Sequence, residues 1–157
     1  MSIHEEVDML RRIPLFGQIE PAKLKLIAFT SERVAFDAGT TLFHQGDAAN
    51  AAYIIVEGKA EVVVEGPGGP VTVAVLGANE FFGEMGILGD VPRTATIVAQ
   101  SRLVTLRISK DLFLRLIKEF PAMAVSMLRV MASRLEATNR QLRTEHAELE
   151  RLRSQSA

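Results

Sequence analysis

Between about Ser31 and Ile108 the chain is written in short, β-branched, partly alternating runs, and this restricts its fold more than any other feature. The runs are "AEVVVEG", "PVTVAVLG", "TATIVAQ" and "RLVTLRIS". The turn-makers "DAGT", "HQGDAAN", "VEGK", "GPGGP" and "LGANE" separate them. Short strands at near-regular spacing, with no helical period between them, build an antiparallel sandwich or barrel. "GPGGP" lies between two strand-like runs, which predicts the tip of a hairpin.

Both flanks change period. "VDMLRRIPLF" places Val7, Leu10 and Arg11 on one helical face until Pro14 interrupts it. A second helix opens with Pro21, where a missing N–H is harmless, and continues through Leu24, Ile27 and Ala28. After the strands, Ser109 is the predicted N-cap of "KDLFLRLIKEF", with Leu112, Phe113, Leu116, Ile117 and Phe120 on one side. A long helix is expected beyond Pro121. At 157 residues the chain suits one domain with a real core. The expected division is a domain over 1–125 and a long dimerisation or lid helix over 126–157. Within the domain, 1–30 form a helical entry, 31–108 a β-roll and 109–125 a helix. The fold class is mainly β with flanking helices.

Composition removes several functions. Hydrophobic residues make up 48% and charged residues 24%, the profile of a globular chain. A formal net charge of -1 provides no general attraction to nucleic acid or an anionic membrane, so neither is an expected partner. The chain has no cysteine, which excludes disulfides, thiolate metal sites and cysteine nucleophiles. The polar start "MSIHEEVDMLRR" does not resemble a signal peptide, and a cytoplasmic location is expected. A metalloenzyme on a cupin-like roll would need clustered histidines, whereas His4, His44 and His146 fall one to each zone. No G-x-S-x-G nucleophile turn occurs. The expectation is a protein that is not an enzyme and has no resident cofactor.

The stretch "FFGEMGILGDVPRTATIVA", Phe81 to Ala99, carries the chemistry. Glu84 and Arg93 lie nine residues apart with Gly83, Gly86 and Gly89 among the residues from 83 to 93, and Asp90 is the only other ionised group there. An arginine fork suits phosphate oxygens. Gly83 and Gly86 permit close backbone approach, and a short helix starting near Gly83 would add N–H donors. A carboxylate repels phosphate, so Glu84 suits another part of the ligand, such as vicinal sugar hydroxyls. A sugar phosphate accounts for both charges. Pairing of Glu84 with Arg93 across a turn accounts for them too, and on composition and spacing alone it is the commoner arrangement.

The same residues resemble the phosphate-binding cassette of the cyclic nucleotide-binding domain family. The pattern is met by Phe82, Gly83, Glu84, Gly86 and Ile87, then Arg93, Thr94, Ala95, Ile97 and Ala99. Upstream, "LFHQGDAANAAYIIVEG" is similar to the family's glycine-marked strand pair through Gly46, Asp47 and Gly58. It departs at Phe43, where Val or Ile is usual, and at Ala52; both changes are expected to concern packing alone. "MLRRIPLF" resembles the helical entry. The resemblance implies an eight-stranded antiparallel jelly-roll β-barrel with N-terminal helices and a long C-terminal helix. It implies that Arg93 pairs with the cyclic phosphate and Glu84 accepts from the ribose 2′-hydroxyl. Backbone N–H groups of Gly83, Gly86 and Thr94 would complete the pocket.

The terminal helix resembles that of the bacterial catabolite activator branch. There a Thr-Ser pair, one residue from each subunit, touches adenine; Thr138 and Asn139 match those positions, with Asn in place of Ser. Arg134 matches a residue that reaches the ribose-binding glutamate, and Val62 and Val73 would line the base. Solvent-facing helix surface is the plainer account of Thr138 and Asn139. The resemblance of Thr138 and Asn139 argues for adenine, while Thr94 permits a contact to a guanine amino group without demanding it, so cAMP is the expected ligand and cGMP the second. Independently, Leu128, Leu135, Leu142 and Leu149 repeat every seven residues, with Asn139 at an a position, a known register device in two-stranded coils. A homodimer through about Leu142 is expected; a single amphipathic helix packed on its own roll is the rival. With no helix-turn-helix after the long helix, the expectation is a stand-alone receptor signalling through movement of that helix to an unidentified effector. Its rival is a ligand-free dimerisation module with a degenerate pocket.

Overall fold

The computed structural model describes residues 3–17 and 19–156. Met1, Ser2, Gln18 and Ala157, which belong to the expected helical zones 1–30 and 126–157, lie outside the described residues. Eight strands form the body: β1 (Glu32–Phe36), β2 (Thr41–Phe43), β3 (Ala51–Glu57), β4 (Ala60–Gly66), β5 (Gly69–Leu76), β6 (Phe81–Phe82), β7 (Thr96–Ala99) and β8 (Leu103–Ser109). They make two four-stranded antiparallel sheets, ordered β1-β8-β3-β6 and β2-β7-β4-β5. The expected barrel is not closed. The arrangement is jelly-roll-like, and two of its four edge strands, β2 and β6, run for only three and two residues, which offers little ladder for closure.

Side-chain alternation separates two cores. On β3, Ala52 and Ile54 face the helices with Leu106 and Ile108 of β8. Ala51, Tyr53 and Ile55 point the other way and meet Ala60, Leu76, Ile97 and Ala99 of the second sheet. The first sheet is therefore covered on both faces, which is why β3 reads as an almost unbroken apolar run. The one buried hydroxyl in β8 is satisfied, Thr105 donating to the Val34 carbonyl at 3.0 Å. "GPGGP" is the hairpin tip, with Gly66 opposite Gly69 across β4 and β5.

The helices cover the outer face of the first sheet. Helix α1 (Ile3–Arg12) buries Val7 and Leu10, and Pro14 opens a single 3-10 turn that buries Leu15 and Phe16. Helix α2 (Pro21–Thr30) starts at its proline and buries Leu24, Ile27 and Ala28. A five-residue helix α3 (Glu84–Leu88) follows β6. In α4 (Lys110–Glu119) the Ser109 side chain accepts from the Leu112 N–H, and Phe113 and Leu116 are buried. Phe120 breaks the helix, since a residue before proline is driven out of the α region, and α5 (Pro121–Ser156) follows. The break falls at Phe120, so the boundary expected after 125 lies inside α5. Met123 and Met127 anchor the start of α5 in the core, with Val130 and Met131 packed beside them. From Leu135 to Gln155 every residue is exposed.

Candidate functional site

The glycine-rich segment closes between the ends of β3, β6 and the turn after β2. Gly83 has φ 85, a conformation that favours glycine, and a Cβ there would stand 2.8 Å from Arg93 Nη1 and 3.2 Å from the Ala51 carbonyl oxygen. A Cβ on Gly86 would meet that of Ala49 at 2.5 Å. Helix α3 can therefore lie against the β2–β3 turn only because both positions lack a side chain. The same turn clamps Arg93 by its backbone: the Gly46 N–H donates to the Arg93 carbonyl at 2.9 Å, and the Arg93 N–H donates to the Asp47 carbonyl at 2.8 Å. The Asp47 carboxylate in turn accepts from the His44 N–H at 2.8 Å and holds that turn in shape.

Glu84 and Arg93 are both buried, each 4% exposed, and they do not form an ion pair with one another. Arg93 donates from Nη1 to the Gly83 carbonyl at 2.8 Å and from Nη2 to the Ala51 carbonyl at 2.7 Å. Its Nε is buried with no acceptor. The guanidinium carbon lies 3.9 Å from the centroid of the Phe43 ring. Phe43 itself joins Tyr53 and Phe82, with centroids 6.1 Å away in each case, and those two rings stack at 5.1 Å. The expectation that Phe43 concerns packing alone is therefore corrected: its ring contacts the anion-binding candidate directly. Burial lowers the Arg93 pKa from the ordinary arginine value, because the charged form loses hydration.

Glu84 turns to the terminal helix. Its Oε1 is 3.6 Å from Nη1 of Arg134, whose Nη2 donates to the Phe81 carbonyl at 3.1 Å and whose guanidinium carbon lies 4.8 Å from the Phe81 ring centroid. Burial raises the Glu84 pKa; its own backbone N–H, Arg134 and Arg93 oppose that rise. A carboxylate so placed accepts a hydroxyl donor readily, since a hydrogen bond replaces lost water. Arg134 and Phe81 also line a cavity of about 200 Å³ with Ile13, Pro14, Leu15 and Val130.

The other expected site residues are placed less tightly. Gly83, Glu84, Gly86, Arg93 and Arg134 come together. Thr94 is exposed beside Arg93. Val62 is half-buried against the core between the sheets. Val73, opposite the slip between Val62 and Val63, is left 54% exposed on the edge strand β5. Thr138 and Asn139 are exposed, and the Thr138 hydroxyl donates to the Arg134 carbonyl one turn back at 3.0 Å. Sequence reasoning missed the Ala51 carbonyl, which no side-chain pattern announces. It also missed the role of Phe43, although that residue's departure from Val or Ile was a signal.

The family model described as "Cyclic nucleotide-binding domain" matches residues 33–120, more than half of the chain. The chain is 32% identical over 130 residues to the "Cyclic AMP receptor protein" of Thermus thermophilus, covering 82% of this chain and 60% of that one. It is 28% identical over 136 residues to the "CRP-like cAMP-activated global transcriptional regulator" of Mycobacterium tuberculosis, covering 86% and 61%. Among solved structures, a "Cyclic nucleotide-binding-like protein" of Brucella abortus superposes with a TM-score of 0.61 at 34% identity, over 73% of this chain and 98% of that one. The chain thus spans about three fifths of the length of the two curated relatives. It belongs to the cyclic nucleotide-binding domain family.

Proposed function

We propose that this member of the cyclic nucleotide-binding domain family is a receptor for cAMP, with cGMP second, that signals through its terminal helix. One observation carries the reading: a buried guanidinium keeps Nε without an acceptor, beside a buried carboxylate with which it forms no ion pair. A buried donor without a partner calls for one, and a cyclic phosphate supplies anionic acceptors at Arg93 while ribose supplies a hydroxyl to Glu84. Gly83, Gly86 and Thr94 would lend backbone donors, and Val62, Val73, Thr138 and Asn139 would meet the base. The nucleotide would be a ligand with no covalent step, and the protein would act as a regulator.

Glu84 gives the route outward. It touches Arg134 of α5, so a ligand hydroxyl arriving at Glu84 changes what holds that helix. Ligand shifts α5 only if its affinity differs between the two helix positions. Beyond Arg134, Leu135 and Leu142 remain 61% and 57% exposed, which supports a second copy of this chain as partner of α5. The effector that would read the change is a further protein partner.

A specific observation favours a second reading. Two Arg93 nitrogens already donate to backbone carbonyls and Phe43 covers the group, as a ligand-free dimerisation module would require. Calorimetric titration with cAMP, cGMP and a cyclic dinucleotide separates the two. The receptor reading expects binding of cAMP or cGMP, weakened by about 3 kcal/mol, on the order of a hundredfold, in Arg93→Ala. Equal binding by both proteins, or none by either, overturns it.

A further inference from the structure

Three covers shield the Arg93 guanidinium, and they differ in how firmly they are held. The Ala51 carbonyl belongs to β3, an inner strand, at a residue with no exposed surface. The Gly83 carbonyl is fixed between β6 and α3, where substitution has no room. Phe43 ends β2, a three-residue edge strand whose pairing with β7 slips between Thr41 and Phe43. Its side chain is only half-buried. Of the three, the Phe43 ring can move with the smallest loss of structure.

The geometry points to Phe43 as a lid on the anion site. Its ring covers the guanidinium, and withdrawing it opens that side of Arg93 to a phosphate oxygen, so residue 43 sets how tightly the site takes a cyclic phosphodiester. The contact it makes, 3.9 Å from guanidinium carbon to ring centroid, belongs to the closed arrangement. A cation over an aromatic face is attracted by the ring quadrupole, and an aliphatic side chain offers no such attraction. An anion arriving at Arg93 competes with that contact. The closed form is favoured by it, and the apparent affinity of the site is lowered in proportion. The unpartnered Nε shows that the closed arrangement is incomplete, which leaves room for an anion to win. This inference deepens the receptor reading and rests on it for the identity of the ligand, but the lid itself is testable without nucleotide.

The test uses the full chain with Phe43→Ile, Phe43→Leu and Phe43→Tyr. Ile and Leu fill most of the space without a ring; Tyr keeps the ring. Without nucleotide, phenylglyoxal is reacted with each protein and the modified Arg93 peptide is quantified by mass spectrometry against exposed Arg143. Arg93 is expected to react at least about threefold faster in the Ile and Leu variants and at the wild-type rate in the Tyr variant. With cAMP as probe, calorimetry is expected to show about three- to tenfold tighter binding by Ile and Leu. Unchanged or slower modification in variants that melt like wild type overturns the lid. Weaker or equal cAMP binding by them also overturns it, since the ring would then brace the bound state. Faster modification with no cAMP binding by any protein retains the lid and removes the nucleotide reading alone.

Discussion

The cassette from Gly83 to Arg93 and the outer part of α5 sort polar from apolar in opposite ways. The cassette takes Glu84 and Arg93 almost out of water, to 4% exposure each. The helix holds Leu135, Leu142 and Leu149 in it, at 61%, 57% and 48% exposure. A buried charge loses hydration, and the chain replaces part of that loss with its own atoms: two carbonyls and a ring for Arg93, and Arg134 for Glu84. The described residues from Leu135 to Gln155 are all exposed, so these three leucines stay in contact with water. Ion pairs such as Arg140 with Glu136 and Arg153 with Glu150 support the helix there. Each region is incomplete, but the cassette lacks an acceptor of a few atoms and the helix lacks a whole face. We propose a small ligand for the first and a protein surface for the second.

The comparison breaks most visibly at Gly83. Gly83→Ala combines a left-handed φ of 85 with a Cβ 2.8 Å from Arg93 Nη1. It is expected to lower stability by about 2 to 3 kcal/mol, read as a fall in melting temperature of roughly 5 to 10 °C. An unchanged melting curve would mean that the cassette is loosely held, like the outer helix.

A smaller effect sharpens the link between the two regions. Arg134→Leu removes the contact from α5 to Glu84; Arg134 is partly exposed, so screening limits the expected loss to about 1 kcal/mol. The pH dependence is more telling. Burial raises the Glu84 pKa, so folding favours its protonated form. That contribution is fully present below the unfolded carboxylate pKa and is lost as pH rises through the folded value. Arg134 opposes the rise, so Arg134→Leu is expected to steepen the loss of stability between the ordinary carboxylate range and neutrality. Glu84→Gln is expected to flatten it. Denaturant titrations across that range measure both, and identical profiles in all three proteins would show that Glu84 is not buried in solution.

The smallest expected effect on stability belongs to the leucine stripe. Leu135→Glu alters a side chain 61% exposed and should change monomer stability by less than about 0.5 kcal/mol. Its sedimentation should nevertheless fall from dimer to monomer. An equal mass for wild type and variant would leave the helix as a solvated arm and end the comparison.

Much of the fold was legible because it is written in local terms. "GPGGP" between two strand patterns fixed a hairpin tip, Ser109 capped a helix and Pro14 ended one, since these depend on φ preferences and nearby donors. Barrel closure was not legible, because it depends on strand lengths and edge pairing that no window of sequence contains. At the site, glycine spacing indicated Gly83 and Gly86 as places of close approach, and the contacts there explain why. Val73 shares its exposure with Val71 and Val75, because β5 is an edge strand of its sheet, and strand order is not written in alternation.

By itself the sequence determined where the period changes, which residues could carry charge in an apolar segment, and the seven-residue repeat of the terminal helix. Those follow from the backbone's own periods and from side-chain chemistry. Tertiary structure alone decided the partners of Arg93, which are the carbonyls of Ala51 and Gly83 and the ring of Phe43, whereas the resemblance had already pointed to Arg134 of α5 for Glu84. Partners are set by distances between segments up to 50 residues apart in the chain, as with Glu84 and Arg134, and those distances exist only once both cores have packed.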